Sequence, residues 1–409
     1  MIKSDIIIIG SELDAFVACI RLNELGFDVR ILSNGKGSLL YSLGNIKVLS
    51  LIEKNLQNKS PLSFIEKLEL NHPYKIIGEE NVKKSIEWFY SLGLFRRLKF
   101  KQFDCNIDTL SPIGLKIPSA ALYYKQVCLK QLENQDISIV EFENHKDFHS
   151  ALIAKSLSKI AKSIEIVQVR QPDVSRNSDS SSLAISFDAL KNFENYFRSF
   201  EQKLNKNSSI VIFPAVLGVN HYVQVIESAE KVLNKKCFEA PTLPPSIPAI
   251  RLNLDLEKEV MKKNNLHKGS IVSNARIEKD KCLSLKDNFD RDFIAKAFIV
   301  SNGGILMGGI KVYSNGEIKE NLFNPKIQNN HHLSKENCSS SIEALQTSGI
   351  LTNDKLNPIL GDDTVINNVF YTGRNLANWN PSTEFSSEGV SIATGWYAAN
   401  QIANIMEKT

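Results

Sequence analysis

The sequence predicts an α/β fold that begins with a strand–helix–strand unit close to the N-terminus. Residues 5–9 form an unbroken apolar run, which is too short for a helix and typical of a strand buried on both faces. Apolar residues then recur at helical spacing from Ala15 to Leu25, and Gly26 ends the predicted helix. Residues 28–32 have the pattern of a second strand. This arrangement predicts a Rossmann-like, nucleotide-binding sheet.

The turn after the first strand decides whether a phosphate group can bind. Its usual fingerprint is G-x-G-x-x-G, which allows a tight turn, close approach of backbone amides to phosphate, and close helix–strand contact. This chain has Gly10, Glu12 and Ala15 at the three glycine positions. Alanine is acceptable at the third, but Glu12 places a side chain and a negative charge where phosphate approaches the helix. Gly10, Ser11 and Ala15 are therefore candidate cofactor-binding residues of a damaged phosphate site.

The end of the second strand bears on which nucleotide would bind. Proteins that hold an adenosine ribose usually place Asp or Glu there, whereas residues 33–38 are Ser-Asn-Gly-Lys-Gly-Ser. The missing carboxylate favours FMN over FAD or NAD. Ser33, Gly35 and Lys36 are candidate contacts, with Lys36 facing the phosphate. The alternative is that Lys36 is a solvated loop lysine.

Composition narrows the class of protein. A chain of 409 residues with 43% hydrophobic and 23% charged residues suits a globular protein of two domains. The net charge of +4 gives no reason to expect nucleic-acid binding. The six cysteines form no CxxC pair, so we expect reduced thiols in the cytoplasm and neither a metal site nor an iron–sulfur cluster. No apolar run approaches the roughly 20 residues of a membrane span, and no secretory signal is evident.

Two residues outside this unit are candidates for binding an anion or substrate. Arg251 follows a proline-rich stretch, residues 239–250, and we expect it to open a helix at the end of a rigid loop. Such a guanidinium suits bidentate phosphate or carboxylate binding, but a structural ion pair is an equal alternative. His72 precedes Pro73, where a helix must stop, although a lone loop histidine is more often structural.

Later segments are expected to return to the nucleotide-binding sheet. Residues 298–304 and 367–373 have the pattern of buried strands that end in glycine. A final helix opens at residues 387–389, and in flavoproteins the positive N-terminus of this helix points at the flavin. Glu388 would oppose an electron-rich reduced flavin. The further cofactor-binding candidates are Gly303, Gly304, Gly373, Arg374 and Gly389.

The order of these segments predicts a discontinuous domain. We expect residues 1–70 and 265–409 to form the flavin- or nucleotide-binding domain. Residues 71–264 are then an inserted α+β domain that binds substrate or a partner.

Several short motifs occur in an order that resembles the B subunits of anaerobic, quinone-linked glycerol-3-phosphate dehydrogenases, flavoproteins of the FAD/NAD(P)-binding superfamily. The motifs are HPY at 72–74 with Gly78, SPIG at 111–114, FPAVLG at 213–218, PTLPPS at 241–246 with IRL at 250–252, SNGG at 301–304, and GRNLANWNP at 373–381. The spacing holds over nearly the whole chain, and the PTLPPS–IRL pair is the most specific.

The resemblance implies an FMN-associated subunit that pairs with an FAD-carrying catalytic partner, the A-type subunit. An iron–sulfur partner, the C-type subunit, would tie the complex to the inner face of the cell membrane and pass electrons to quinone. The implied reaction converts sn-glycerol 3-phosphate to dihydroxyacetone phosphate, with the hydride taken up on the A-type subunit.

The sequence also departs from this family. Family members are glycine-rich at the first turn and before the last helix, where this chain has Glu12 and the residues 385–388 (Phe-Ser-Ser-Glu). Backbone approaches flavin closely at both places. One alternative is therefore a non-catalytic pseudo-flavoprotein that scaffolds an oxidoreductase. A second is a stand-alone FAD-dependent oxidoreductase with another substrate, which the missing carboxylate after Leu32 disfavours.

Overall fold

The computed structural model divides the chain into two compact units. It describes residues 1–50, 60–93, 98–100, 105–172, 178–263, 266–328 and 345–407. Unit 1 comprises Met1–Ser38, Lys47–Phe95 and Asp255–Thr409, and unit 2 comprises Leu39–Ile46 and Arg96–Leu254.

These bounds differ from the predicted domains at both ends of the insertion. Helices formed by residues 73–77 and 79–91 belong to unit 1, because they pack against the last helix of that unit. The predicted boundary between residues 264 and 265 lies outside the described residues.

The strands in the described residues are short. In chain order they are β1 Ile2–Lys3, β2 Ile6–Ile9, β3 Val29–Ser33, β4 Leu98–Phe100, β5 Ile107–Leu110, β6 Lys116–Ser119, β7 Ala121–Tyr123, β8 Asp136–Phe142, β9 Ser163–Val169, β10 Ile210–Pro214, β11 Lys236–Ala240, β12 Leu266–Lys268, β13 Val272–Glu278, β14 Lys281–Asp287, β15 Asp292–Ile294, β16 Ala297–Val300, β17 Lys311–Val312, β18 Ile318–Lys319, β19 Ile327–Gln328, β20 Gly349–Ile350 and β21 Val369–Tyr371.

The described residues also form ten α-helices. They are α1 Leu13–Glu24, α2 Pro73–Ile77, α3 Glu79–Ser91, α4 Ser150–Leu157, α5 Ser180–Asp188, α6 Phe193–Arg198, α7 Tyr222–Leu233, α8 Ile247–Met261, α9 Pro381–Glu384 and α10 Ser387–Met406. Short 3-10 helices occur at Ser38–Tyr41, Pro61–Lys67, Leu129–Gln131, Glu201–Lys203 and Gly373–Asn375.

Unit 1 is built on a parallel sheet with the strand order β12-β3-β2-β16-β21. The central strand β2 is buried at every position, and strands pair with it on both sides, with Ile8 opposite Ile31 and Ile299. This confirms the predicted βαβ unit and its return strands. The helices α1 and α10 pack closely, since a side chain at Gly395 would lie 2.5 Å from the backbone oxygen of Asp14.

Unit 2 contains a second parallel sheet, ordered β11-β10-β8-β9, which gives this unit its own core. Its apolar cluster combines strand residues with side chains of α4 and the neighbouring loops. The buried members are Leu110, Val127, Leu132, Ile137, Ile139, Phe148, Ile153, Leu157, Ile210, Ile212, Phe238 and Ala240. The predicted α/β class is thus observed, while the main sheet of unit 2 is parallel and not of the α+β type expected for the insertion.

Candidate functional site

The carboxyl ends of β2 and β16 meet at one edge of the parallel sheet. Gly10 follows β2 with φ +104°, and a side chain there would overlap the carbonyl oxygen of Ser301, which follows β16. The Gly10 amide donates to the Leu32 carbonyl oxygen at 2.8 Å. Only glycine permits the close approach of residue 10 to the Ser301 carbonyl oxygen. Gly10 therefore allows the turn after β2 to pack against the end of β16.

The loop after β21 closes the same edge of the sheet. A side chain at Gly304 would overlap the Arg374 carbonyl oxygen, and one at Gly373 would lie 2.5 Å from the Asp14 carboxylate. Asp14 is buried in the first turn of α1 and accepts a hydrogen bond of 2.6 Å from the Thr372 hydroxyl. Burial raises the pKa of this carboxyl group. The predicted glycines therefore lie together where open α/β sheets bind ligands.

Glu12 directs its carboxylate into this edge. The Ser38 amide donates to Oε1 at 2.9 Å and to Oε2 at 3.0 Å, and the Ser38 hydroxyl donates to Oε2 at 2.5 Å. Glu12 is only 6% exposed. Burial raises its pKa to about 7, with Asp14 acting in the same direction and the Ser38 hydrogen bonds and Arg374 opposing it. The Glu12 carboxyl group therefore changes from its protonated to its ionised form close to neutral pH.

Two glycines flank the Glu12 carboxylate. A side chain at Gly303 would lie 2.7 Å from Oε1, and one at Gly37 would lie 3.0 Å from Cδ. Glu12 is also the residue that precedes α1, so the carboxylate lies at the helix N-terminus, where the second fingerprint glycine admits phosphate. A phosphate and this carboxylate would compete for the same donors and the same volume. The turn therefore does not fit a nucleotide phosphate while Glu12 remains in this position.

The loop after β3 is held by hydrogen bonds from two serine hydroxyls. The hydroxyls of Ser11 and Ser33 each donate to the Gly35 carbonyl oxygen at 2.6 Å, and the Ser33 hydroxyl lies 2.8 Å from that of Ser11. Lys36 is exposed. The structure thus brings Ser11, Ser33 and Gly35 together, while Lys36 faces solvent, which favours the solvated-lysine alternative.

The N-terminus of α10 is covered by a preceding segment of unit 1. The Gly389 amide donates to the Lys47 carbonyl oxygen at 2.8 Å, and a side chain at Gly389 would overlap the Tyr74 hydroxyl. Glu388 is buried and accepts a hydrogen bond from the Lys47 amide at 3.2 Å, with the Lys47 ammonium 3.6 Å away. The helix terminus predicted to face a flavin is thus engaged by the chain itself.

Arg251 lies inside α8, which begins at Ile247, and not at the start of a helix as expected from the sequence. Its guanidinium forms a bidentate pair with Glu239, at 2.6 Å and 3.1 Å, and donates to the Gly218 carbonyl oxygen at 2.8 Å. It also lies 3.6 Å from the centre of the Tyr222 ring. This fully buried geometry is the structural ion pair, the alternative to a ligand contact.

His72 is also used internally. Its Nδ1 accepts a hydrogen bond from the Tyr74 amide at 3.0 Å, which caps α2, and its Nε2 lies 3.0 Å from a Glu384 carboxylate oxygen. The residue is 2% exposed. Its geometry is therefore that of a buried helix cap, unlike the substrate contact expected from the sequence.

Sequence reasoning missed the roles of Ser38 and Asp14. No local sequence pattern links Glu12 to a serine 26 positions later. The two acids at the start of an apolar helix did, however, indicate buried carboxylates.

A cavity of about 350 Å³ lies beside Gly303 and Arg374. The described residues contain no cluster of three or more His, Cys, Asp or Glu suited to a metal ion. No helix within the described ranges has the length and apolar character that a bilayer-spanning segment requires.

Comparison with solved structures gives distant matches among dehydrogenases and reductases. The 3-ketosteroid Δ1-dehydrogenase from Sterolibacterium denitrificans matches with a TM-score of 0.46 at 10% identity, covering 99% of this chain and 100% of that one. A flavocytochrome c3 fumarate reductase matches with a TM-score of 0.45 at 9% identity, covering 98% and 78%.

Sequence comparison gives relatives that match end to end. The B subunit of the anaerobic glycerol-3-phosphate dehydrogenase of Vibrio cholerae O1 El Tor is 24% identical, covering 98% of this chain and 97% of the relative. The protein of the same name from Actinobacillus pleuropneumoniae is 21% identical, covering 97% and 98%. These matches confirm the resemblance predicted from the motifs. A family model described as an FAD binding domain matches residues 5–377, so the chain belongs to the FAD-binding domain family.

Proposed function

We propose that this chain is the B-type subunit of a glycerol-3-phosphate dehydrogenase-like complex, which oxidises sn-glycerol 3-phosphate to dihydroxyacetone phosphate and passes the electrons to quinone. The observation that carries the proposal is the extent of the similarity. It covers 98% of this chain and 97% of the Vibrio cholerae relative, so the alignment spans nearly the full length of both chains.

The substrate chemistry is assigned to a partner in this proposal. The two side chains expected to bind substrate form hydrogen bonds within the chain. Arg251 donates to Glu239 and to the Gly218 carbonyl oxygen, and His72 lies within hydrogen-bond distance of Glu384. An FAD-carrying A-type subunit would accept the hydride, and an iron–sulfur C-type subunit would hold the complex at the inner face of the membrane. This chain would then act on the cytoplasmic side through its contacts with those two partners.

The cofactor of this chain is the second part of the proposal. The sequence predicts FMN, whereas the family model points to FAD. Either flavin nucleotide brings a phosphate to the turn that Glu12 fills, and the N-terminus of α10 is covered by Lys47. Gly10, Gly303 and Gly373 let the loops close around that position. These observations favour the non-catalytic scaffold as the second candidate function.

Reconstitution tests the assignment to such a complex. The chain is co-expressed with the A-type and C-type subunits, and sn-glycerol-3-phosphate:quinone oxidoreductase activity is measured in membranes. We expect the three chains to co-purify, and membrane-bound activity to fall when this chain is omitted. Failure to associate with either partner would refute the assignment.

Flavin analysis of the natively purified complex and of the isolated chain separates the two candidates. A flavin released from the isolated chain at about one per chain would identify a redox subunit, and its identity would decide between FMN and FAD. A colourless, folded chain that still supports the activity of the complex would establish the scaffold.

A further inference from the structure

We propose that the Glu12 carboxyl group is a built-in substitute for a nucleotide phosphate, and that replacing it with glycine exposes a latent site for a diphosphate anion. The ligand class is a diphosphate, as inorganic pyrophosphate or as the diphosphate of a dinucleotide. The inference rests on the family fold and on unit 1 alone. It can therefore fail or succeed independently of the proposed function in a dehydrogenase complex.

The hydrogen-bond donors around Glu12 are those a phosphate would use. A backbone amide and a hydroxyl, both from Ser38, converge on the two carboxylate oxygens at 2.5–3.0 Å. Phosphate oxygens are bound by the same combination of amide and hydroxyl donors at helix N-termini. The carboxylate therefore satisfies donors that would otherwise be left buried and unpaired, which would be costly.

The backbone that borders the carboxylate contains two glycines. Gly37 and Gly303 both approach it so closely that an added side chain would contact it. An added side chain would also contact the Ser11 carbonyl oxygen at Gly37 and the Met307 side chain at Gly303. Glycine at both positions therefore lets two loops approach the carboxylate closely.

Removing the Glu12 side chain makes the electrostatic environment more favourable to an anion. With it in place, Glu12 and Asp14 are two acids in one buried turn, and a phosphate would add further negative charge. Without it, the N-terminus of α1 and the Arg374 guanidinium, whose charge acts on the Glu12 carboxylate, favour an anion. Asp14 would still oppose that anion when ionised, although burial raises its pKa and so favours the neutral form.

The backbone allows glycine at this position. Glu12 has φ −75° and ψ 172°, an extended conformation open to any residue. The Glu12→Gly variant is therefore not expected to distort the turn. The competing explanation is that Glu12 is only a buried structural acid, whose removal leaves a defect and no binding site.

The test measures pyrophosphate binding to the full-length chain by calorimetry and thermal shift. Wild type, Glu12→Gly and Glu12→Gln are compared, because glutamine keeps the position filled without the charge. We expect Glu12→Gly to bind pyrophosphate at least about tenfold more tightly than the other two proteins, with a rise in melting temperature. Adding Ser38→Ala to Glu12→Gly should abolish that gain.

Binding to Glu12→Gly that is no tighter than binding to wild type would overturn the proposal, and so would a gain that survives Ser38→Ala. If Glu12→Gly does not fold alone, refolding is measured with and without pyrophosphate. Recovery of folded protein only with pyrophosphate supports the proposal, and equal failure in both conditions overturns it.

Discussion

The buried carboxyl group of Glu12 makes the stability of unit 1 depend on pH, and Glu12→Gln should remove that dependence. The pKa of Glu12 is about 7 in the folded chain, against an ordinary value of 4.5. Below about pH 4.5 the group is protonated in both states. As the pH rises towards 7, the unfolded chain ionises first, so the free energy of unfolding falls. Above about pH 7 both states are ionised and the loss is complete.

The size of the effect follows from the difference between the two pKa values. Each pKa unit corresponds to about 1.4 kcal/mol, so the total loss is roughly 3 kcal/mol, of which about 2–3 kcal/mol falls between pH 5 and pH 8. The charged groups that face Glu12 are Asp14 from α1 and Arg374 from the loop after β21. Both remain in Glu12→Gln, so the difference between the two proteins isolates Glu12.

Urea denaturation of wild type and Glu12→Gln at pH 5, 6, 7 and 8 measures this difference. We expect wild type to lose roughly 2–3 kcal/mol more than the variant over that range, most of it below pH 7. Parallel curves for the two proteins would refute the reasoning, because they would show that Glu12 ionises with an ordinary pKa. A difference that grows in the opposite direction would mean that the Ser38 hydrogen bonds outweigh burial.

Two further substitutions test the packing described above by urea denaturation. Arg251→Met should lower the free energy of unfolding by about 3–5 kcal/mol, because Glu239 is left buried without its partner. Adding Glu239→Gln should recover most of that loss. A loss below about 1 kcal/mol for Arg251→Met would contradict a structural ion pair. Gly10→Ala should cost more than about 2 kcal/mol, because its positive φ is combined with an overlap with the Ser301 carbonyl oxygen. Gly26→Ala is the matched control, since Gly26 has φ +88° with nothing within 4 Å, and equal costs at both glycines would contradict the close contact.

Most of unit 1 was predictable because its signals are local. An apolar run buried on both faces, helical spacing and a terminating glycine identified β2, α1 and β3 without any knowledge of their neighbours. The same reasoning located β16, β21 and α10. It also marked Glu12 as the residue that conflicts with phosphate binding, since the fingerprint defines what each position must allow.

The sequence by itself thus determined the fold family, the strands that return to the first sheet and the position of the conflict with phosphate. Only the tertiary structure decided how the conflict is resolved, because the partner of Glu12 is Ser38, 26 residues away. It also decided between the two predicted roles of Arg251, since the bidentate pair depends on where Glu239 lies in β11. Hydrogen bonds between distant segments depend on packing, and hydrophobic periodicity carries no information about which polar groups that packing brings together.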